Sequence, residues 1–167
     1  MTLDLDGAAL DMGGREFTYD VPKPFGPKRG PAFFKVVAKP AAAVNASFRA
    51  AIDEVMHRAQ VRDLEAEKAL EKTGDYDAYV RARKDGAKWV QEAIAALNHD
   101  HCIVSWATNI QNAGKDLAPT RENFIALSQF EHPDIRALFA AMQADLTDAG
   151  KFAIEAERQA TEDTAKN

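Results

Sequence analysis

The sequence holds a single cysteine, Cys102, in 167 residues, which excludes an internal disulfide and fits a reducing compartment. Long apolar runs are missing too. No window approaches the roughly 20 apolar residues that a membrane helix requires, so the chain is expected to stay out of the bilayer and to be soluble. The opening MTLDLDGAALDMGG lacks the basic start and apolar centre of a secretory signal, and a cytoplasmic location is the expectation. Positive charge is not in excess: 21 Lys and Arg stand against 26 Asp and Glu, a formal net charge of -5, so no nucleic-acid footprint is expected. Gly13, Gly14, Gly26 and Gly30 are not followed by GK[ST] and do not join a strand to a helix, which leaves no phosphate loop. The carboxylates are spread along solvated helix faces, with no apolar pocket evident to split the pKa values of a pair. No enzyme activity and no cofactor are expected.

What the sequence does contain is mostly helical. After residues 1–14, an acidic and small-residue stretch expected to be flexible, Phe17, Tyr19 and Val21 alternate with polar residues at the strand period. Residues 22–31, PKPFGPKRGP, hold four prolines and two glycines and must be a loop. The β-branched and aromatic AFFKVVA that follows reads as a second strand, giving a loose β-hairpin over 15–39 with Lys28 and Arg29 exposed at its tip. Beyond Pro40, Val44, Phe48, Ile52, Val55 and Ala59 recur at helical spacing, and RDLEAEKALEK extends that helix along a more solvated face. Thr73-Gly74-Asp75 breaks it. Asp75 can cap a second helix, along which Tyr76, Val80, Ala87, Val90, Ile94 and Leu97 lie on one face. The pair predicts a long antiparallel helical hairpin over 44–98. Gly86, inside the second helix, marks a point of close helix packing in this reading.

His99-Asp100-His101-Cys102 is the most chemical-looking run. A helical zinc pair prefers His at i and i+4, and a structural site needs a second ligand pair such as CxxC, which is absent; His57 and His132 join only if the fold brings them there. The expectation is no metal: the run is a turn between helices capped by Asp100, with Cys102 as a small buried residue rather than a nucleophile.

From there to residue 150 the spacing predicts short helices. One carries Trp106 and Ile110 and stops at Gly114, where positive φ is available. A second starts at Thr120, whose hydroxyl can accept an orphan N–H, with Glu122 in its first turn and Phe124, Ile125 and Leu127 on its apolar face. A third starts with Pro133 at its first position and carries the stripe Ile135, Leu138, Phe139, Met142, Leu146. Residues 151–167 turn polar, with Phe152 and Ile154 as anchors in a tail expected to be disordered. The fold class is therefore mainly α, a single domain over 15–150. Trp106, flanked by Val104 and Ile110, is expected in the core; Trp89 lies off the main stripe of its helix, leaving a second packing face and a partner surface both open.

The arrangement Ile103-Val104-x-Trp106, then Gly114, then Pro119-Thr120-x-Glu122-Asn123-x-x-x-Leu127, then Pro133 and an apolar helix, resembles the tail assembly chaperones of long-tailed bacteriophages. The residues before the glycine, Gln111-Asn112-Ala113, lack the acids many members carry there. The resemblance covers roughly the C-terminal 40 residues well and the N-terminal half only loosely, and it implies a non-enzymatic protein of the bacterial host cytoplasm. Such a protein binds the tape measure protein and keeps it soluble while tail tube subunits, a second possible partner, polymerise around it. A homo-oligomer is left open. Trp89, Tyr79 and Phe130, whose bulk the main stripes do not need, are the expected partner-binding residues. The competing readings are a virion structural or adaptor subunit of defined oligomeric state and a small metal-binding protein using residues 99–102.

Overall fold

The computed structural model describes residues 14–41, 46–148 and 150–152. The expectations for the two ends and for Val44 and Ile154 fall almost entirely outside these residues. Three antiparallel strands, β1 (Arg15–Val21), β2 (Ala32–Ala38) and β3 (Ile103–Thr108), form a sheet in the order β1-β2-β3. Two long helices, α1 (Ala46–Thr73) and α2 (Tyr76–His101), lie between β2 and β3 in the chain. A minimal hairpin follows, β4 (Gln111–Asn112) with β5 (Lys115–Asp116), and then α3 (Arg121–Ser128) and α4 (Pro133–Thr147). The architecture is mainly helical, as expected: a long helical hairpin, short C-terminal helices and an N-terminal β-hairpin.

The first hairpin pairs Arg15 with Ala38 through to Val21 with Ala32. This register points Phe17, Tyr19, Val21, Phe34 and Val36 to one face, because alternate residues of a strand share a side. Beneath that face Phe34, fully buried, stacks on Trp106 with ring centroids 5.4 Å apart and meets Phe124 at 6.2 Å and Phe139 at 5.9 Å. Ile135, Leu138, Met142 and Leu146 of α4 complete the core at the spacings of the predicted stripe. Each side chain of this size contributes about 1.5–3 kcal/mol on full burial. Phe152 extends the packed body past residue 150, edge-on to Phe17 at 5.7 Å. Near it, Asp145 of α4 accepts hydrogen bonds from the Tyr19 hydroxyl, at 2.7 Å, and from the Lys151 ammonium.

The helix expected around Trp106 is instead β3. Six residues, IVSWAT, are rich in β-branched and aromatic side chains, and the open edge of β2 offers them a ladder in which Val36 pairs with Trp106. The register shifts by one residue at Val37 and Ala38, where β3 begins. Gly114 is correspondingly no helix stop. With Ala113 it forms the two-residue turn of the β4–β5 hairpin, both at positive φ (52° and 78°), the backbone that a tight hairpin demands. The run His99-Asp100-His101 is not an interhelical turn either: it is the last turn of α2, which ends at Cys102.

The other boundaries follow their local chemistry. Asp75 caps α2 by accepting from the Ala78 N–H at 2.9 Å, after Gly74 reverses the chain at φ 67°. Thr120 caps α3 through the Asn123 N–H, and Pro133 opens α4. Within the long hairpin, α1 turns Phe48, Ile52, Val55, Ala59, Asp63, Ala66 and Leu70 inward. Arg62 lies over the Trp89 ring at 4.3 Å, and Arg83 pairs with Asp63 at 2.6 Å. The expected α2 stripe divides. Val90, Ile94 and Leu97 are half-buried, while Tyr76, Val80 and Ala87 are exposed; contacts with the body are made at the C-terminal end of α2, by Asn98, His99 and Asp100. Nor does Gly86 mark close packing: a Cβ there would meet nothing within 4 Å.

Two outcomes test this packing. Leu138→Ala is expected to cost about 2–5 kcal/mol in denaturant unfolding, the range for emptying a buried leucine site; an unchanged midpoint would mean the α4 stripe does not form the core. Gly86→Ala is expected to stabilise by about 0.5–1 kcal/mol, since helix interior and free space both favour the methyl. A lower midpoint would reveal a close neighbour.

Candidate functional site

The residues singled out in the sequence go to three places. His99, Asp100, His101 and Cys102 end α2 and serve the packing between elements. The Asp100 carboxylate accepts two hydrogen bonds from Arg121, at 2.7 and 2.8 Å, which clamps the end of α2 to the start of α3. That bidentate contact holds the Asp100 carboxyl below its ordinary pKa, against a smaller opposing effect of burial. The His99 ring stands edge-on to Phe124 at 5.3 Å, and the His101 ring faces Phe48 at 6.4 Å. Cys102 is 1% exposed, and burial pushes its thiol up to about 12, so at neutral pH it is protonated. Among the described residues no three His, Cys, Asp or Glu side chains come together as a metal would require.

The long hairpin holds Trp89 and Tyr79. Trp89 is half-buried under Arg62, which makes it part of the α1–α2 interface, and Tyr79 is half-buried with its ring 6.1 Å from Tyr76. The exposed apolar side chains of this hairpin are others: Met56, Val61, Leu64, Tyr76 and Val80. Among the described residues, extensive packing of α1 is with α2 alone, whereas α2 also rests on α3 and β3.

Phe130 lies in a third place, where several motif residues converge. It is 52% exposed and forms one wall of an open groove of about 240 Å³ whose floor and other walls come from Phe25, Ile110, Leu117, Ala126 and Leu127. Phe25 and Phe130 meet edge to face at 6.2 Å, with the His132 ring 4.7 Å from Phe25. The rim carries the amides of Gln111, Asn112 and Asn123, and among the described residues no ionisable side chain lines the groove. Asn123 donates from its side chain to the Ala118 carbonyl at 2.9 Å, and the Gln111 N–H donates to the Phe25 carbonyl at 2.8 Å, which fastens the proline loop to the β4–β5 hairpin. Such a surface can receive an apolar side chain.

Of the remaining motif positions, Trp106 is buried against Phe34 and Phe124, while Ile103 is half-buried and Val104 exposed on β3. Gly114 is at the hairpin tip, Pro119 and Thr120 lead into α3, Glu122 is exposed in its first turn, and Pro133 starts α4. Sequence reasoning missed Phe25, Ile110 and Leu117 as site residues. They sit in connecting segments, where periodicity carries no information; an isolated aromatic in a proline and glycine loop was the available signal. Known protein families, curated proteins and solved structures contain no match to this chain.

A check on the buried run is direct. Native protein is expected to leave Cys102 unreactive towards a thiol reagent such as DTNB until it unfolds, and to keep its thermal midpoint in chelator. Rapid labelling in the native state, or a large fall of the midpoint on chelation, would contradict the packing role assigned to residues 99–102.

Proposed function

We propose that this chain is a non-enzymatic tail assembly chaperone of a long-tailed bacteriophage, which binds the tape measure protein and keeps it soluble before the tail tube forms around it. The observation that carries the reading is the helical hairpin: among the described residues α1 has extensive packing only with α2, and Met56, Val61, Leu64, Tyr76 and Val80 are left exposed along the pair. Two amphipathic helices that leave apolar side chains in water are suited to receive further apolar helices, as a helical client would supply. The resemblance of the 103–133 stretch to that chaperone family supplies the client. No helix of the described residues is long and apolar enough to cross a membrane.

Co-expression with the tape measure protein of the same genome tests this. The client is expected to become soluble, in a complex that survives moderate salt because apolar burial rather than charge holds it. Leu64→Glu and Val80→Glu, both at exposed positions, are expected to change stability by no more than about 0.5 kcal/mol and to abolish solubilisation. If the tape measure protein stays insoluble beside wild-type chain and no complex is recovered at any stoichiometry, a virion adaptor replaces the chaperone reading. Finding the protein in purified particles would point the same way.

A further inference from the structure

The loop between β1 and β2 has a charge that the rest of the protein does not share. Residues 22–31 hold Lys23, Lys28 and Arg29 and no acid, in a chain of net charge -5. All three side chains are exposed, and among the described residues none has a carboxylate partner. Cations on the long helices are interspersed with acids along the same faces, as where Arg58 meets Glu54 and Arg83 meets Asp63, whereas this loop brings three together with no acid among them. The cations are also held in place. The Gly26 N–H donates to the Gly30 carbonyl at 2.9 Å and the Gly30 N–H to the Pro27 carbonyl at 3.0 Å, while a Cβ at Gly26 would fall 2.0 Å from the Pro31 carbonyl oxygen. Lys28 and Arg29 take positive φ in succession (53° and 60°), a backbone that L-residues rarely adopt and that persists only where its surroundings enforce it.

Phe25 belongs to this same loop and forms a wall of the groove facing Phe130. One short loop with an ordered backbone therefore supplies both a wall of an apolar groove and three exposed cations within four residues of that wall. We propose that the groove and the loop are one docking site for an acidic peptide segment of a partner protein. An aromatic or large aliphatic side chain of that segment seats between Phe25 and Phe130, and its neighbouring carboxylates meet Lys23, Lys28 and Arg29. The anchor supplies the buried apolar contact, and the charges select acidic segments and reject basic ones. The site is built from elements other than the α1–α2 hairpin, and its occupation requires no tape measure client.

A random-peptide display library panned against the full chain tests the proposal. Enrichment is expected for peptides that combine a Phe, Trp or Leu with flanking Asp and Glu. Measured by fluorescence anisotropy, such a peptide is expected to bind at least tenfold more weakly to Phe130→Ala, and to Ala126→Phe, which fills the groove from an exposed helix position. Lys28→Glu combined with Arg29→Glu is expected to lose the acidic peptide and gain one in which its acids are replaced by Lys. That reversal distinguishes charge recognition from damage to the fold, and an unchanged thermal midpoint confirms that each variant is intact. No enrichment, enrichment of neutral or basic sequences, or equal binding of an acidic peptide whose anchor is replaced by Ala would each overturn the proposal. The last outcome, or equal binding of single-stranded DNA, would reduce the loop to a general polyanion contact.

Discussion

Phe34 is the residue on which the body of this protein converges. Its ring contacts Trp106 of β3, Phe124 of α3 and Phe139 of α4, and Trp106 and Phe124 in turn meet at 5.9 Å. Sequence separations of about 70 to 105 residues are closed at that point, so the sheet, α3 and α4 share one aromatic centre. The Trp106 indole N–H has no acceptor among the described residues. Ring packing, without the polar tether that buried tryptophans usually find, therefore positions it.

The hairpin is joined to that body by the last turn of α2. Asp100 with Arg121, His99 with Phe124, and the Asn98 amide donating to Gln143 at 2.5 Å tie α2 to α3 and α4. A run that looked like a ligand cluster is a joint. The distal part of the hairpin leaves Met56, Val61, Leu64, Tyr76 and Val80 exposed, and the two sites proposed above occupy different parts of the molecule: the helix faces of the hairpin, and the apolar groove with the basic loop that supplies its Phe25 wall.

Much of the local structure was legible because short-range chemistry dictates it. Asp75, Thr120 and Pro133 start helices, Gly74 ends one, residues 22–31 can only be a loop, and the stripe from Ile135 to Leu146 has one buried side whatever it packs on. Trp106 was different. Its spacing to Ile110 fits a helix and its β-branched neighbours fit a strand, and a six-residue segment is too short for periodicity to arbitrate. The misreading of residues 99–101 has the same origin, since a helix that continues and one that stops differ there only in what the following segment does.

What the sequence determined alone was the kind of protein this is: mainly helical, without an internal disulfide, and cut by prolines, glycines and capping residues into elements whose ends are set by backbone hydrogen bonds. These signals act over a few residues, which is why they could be read directly. Only the tertiary structure decided that Trp106 joins β2 as a third strand, that Trp89 faces Arg62 while Val80 faces water, and that Phe25 and Phe130, more than 100 residues apart, enclose one groove. Each depends on which surfaces meet across long loops, a choice governed by the total apolar area the chain can bury and not by any local preference.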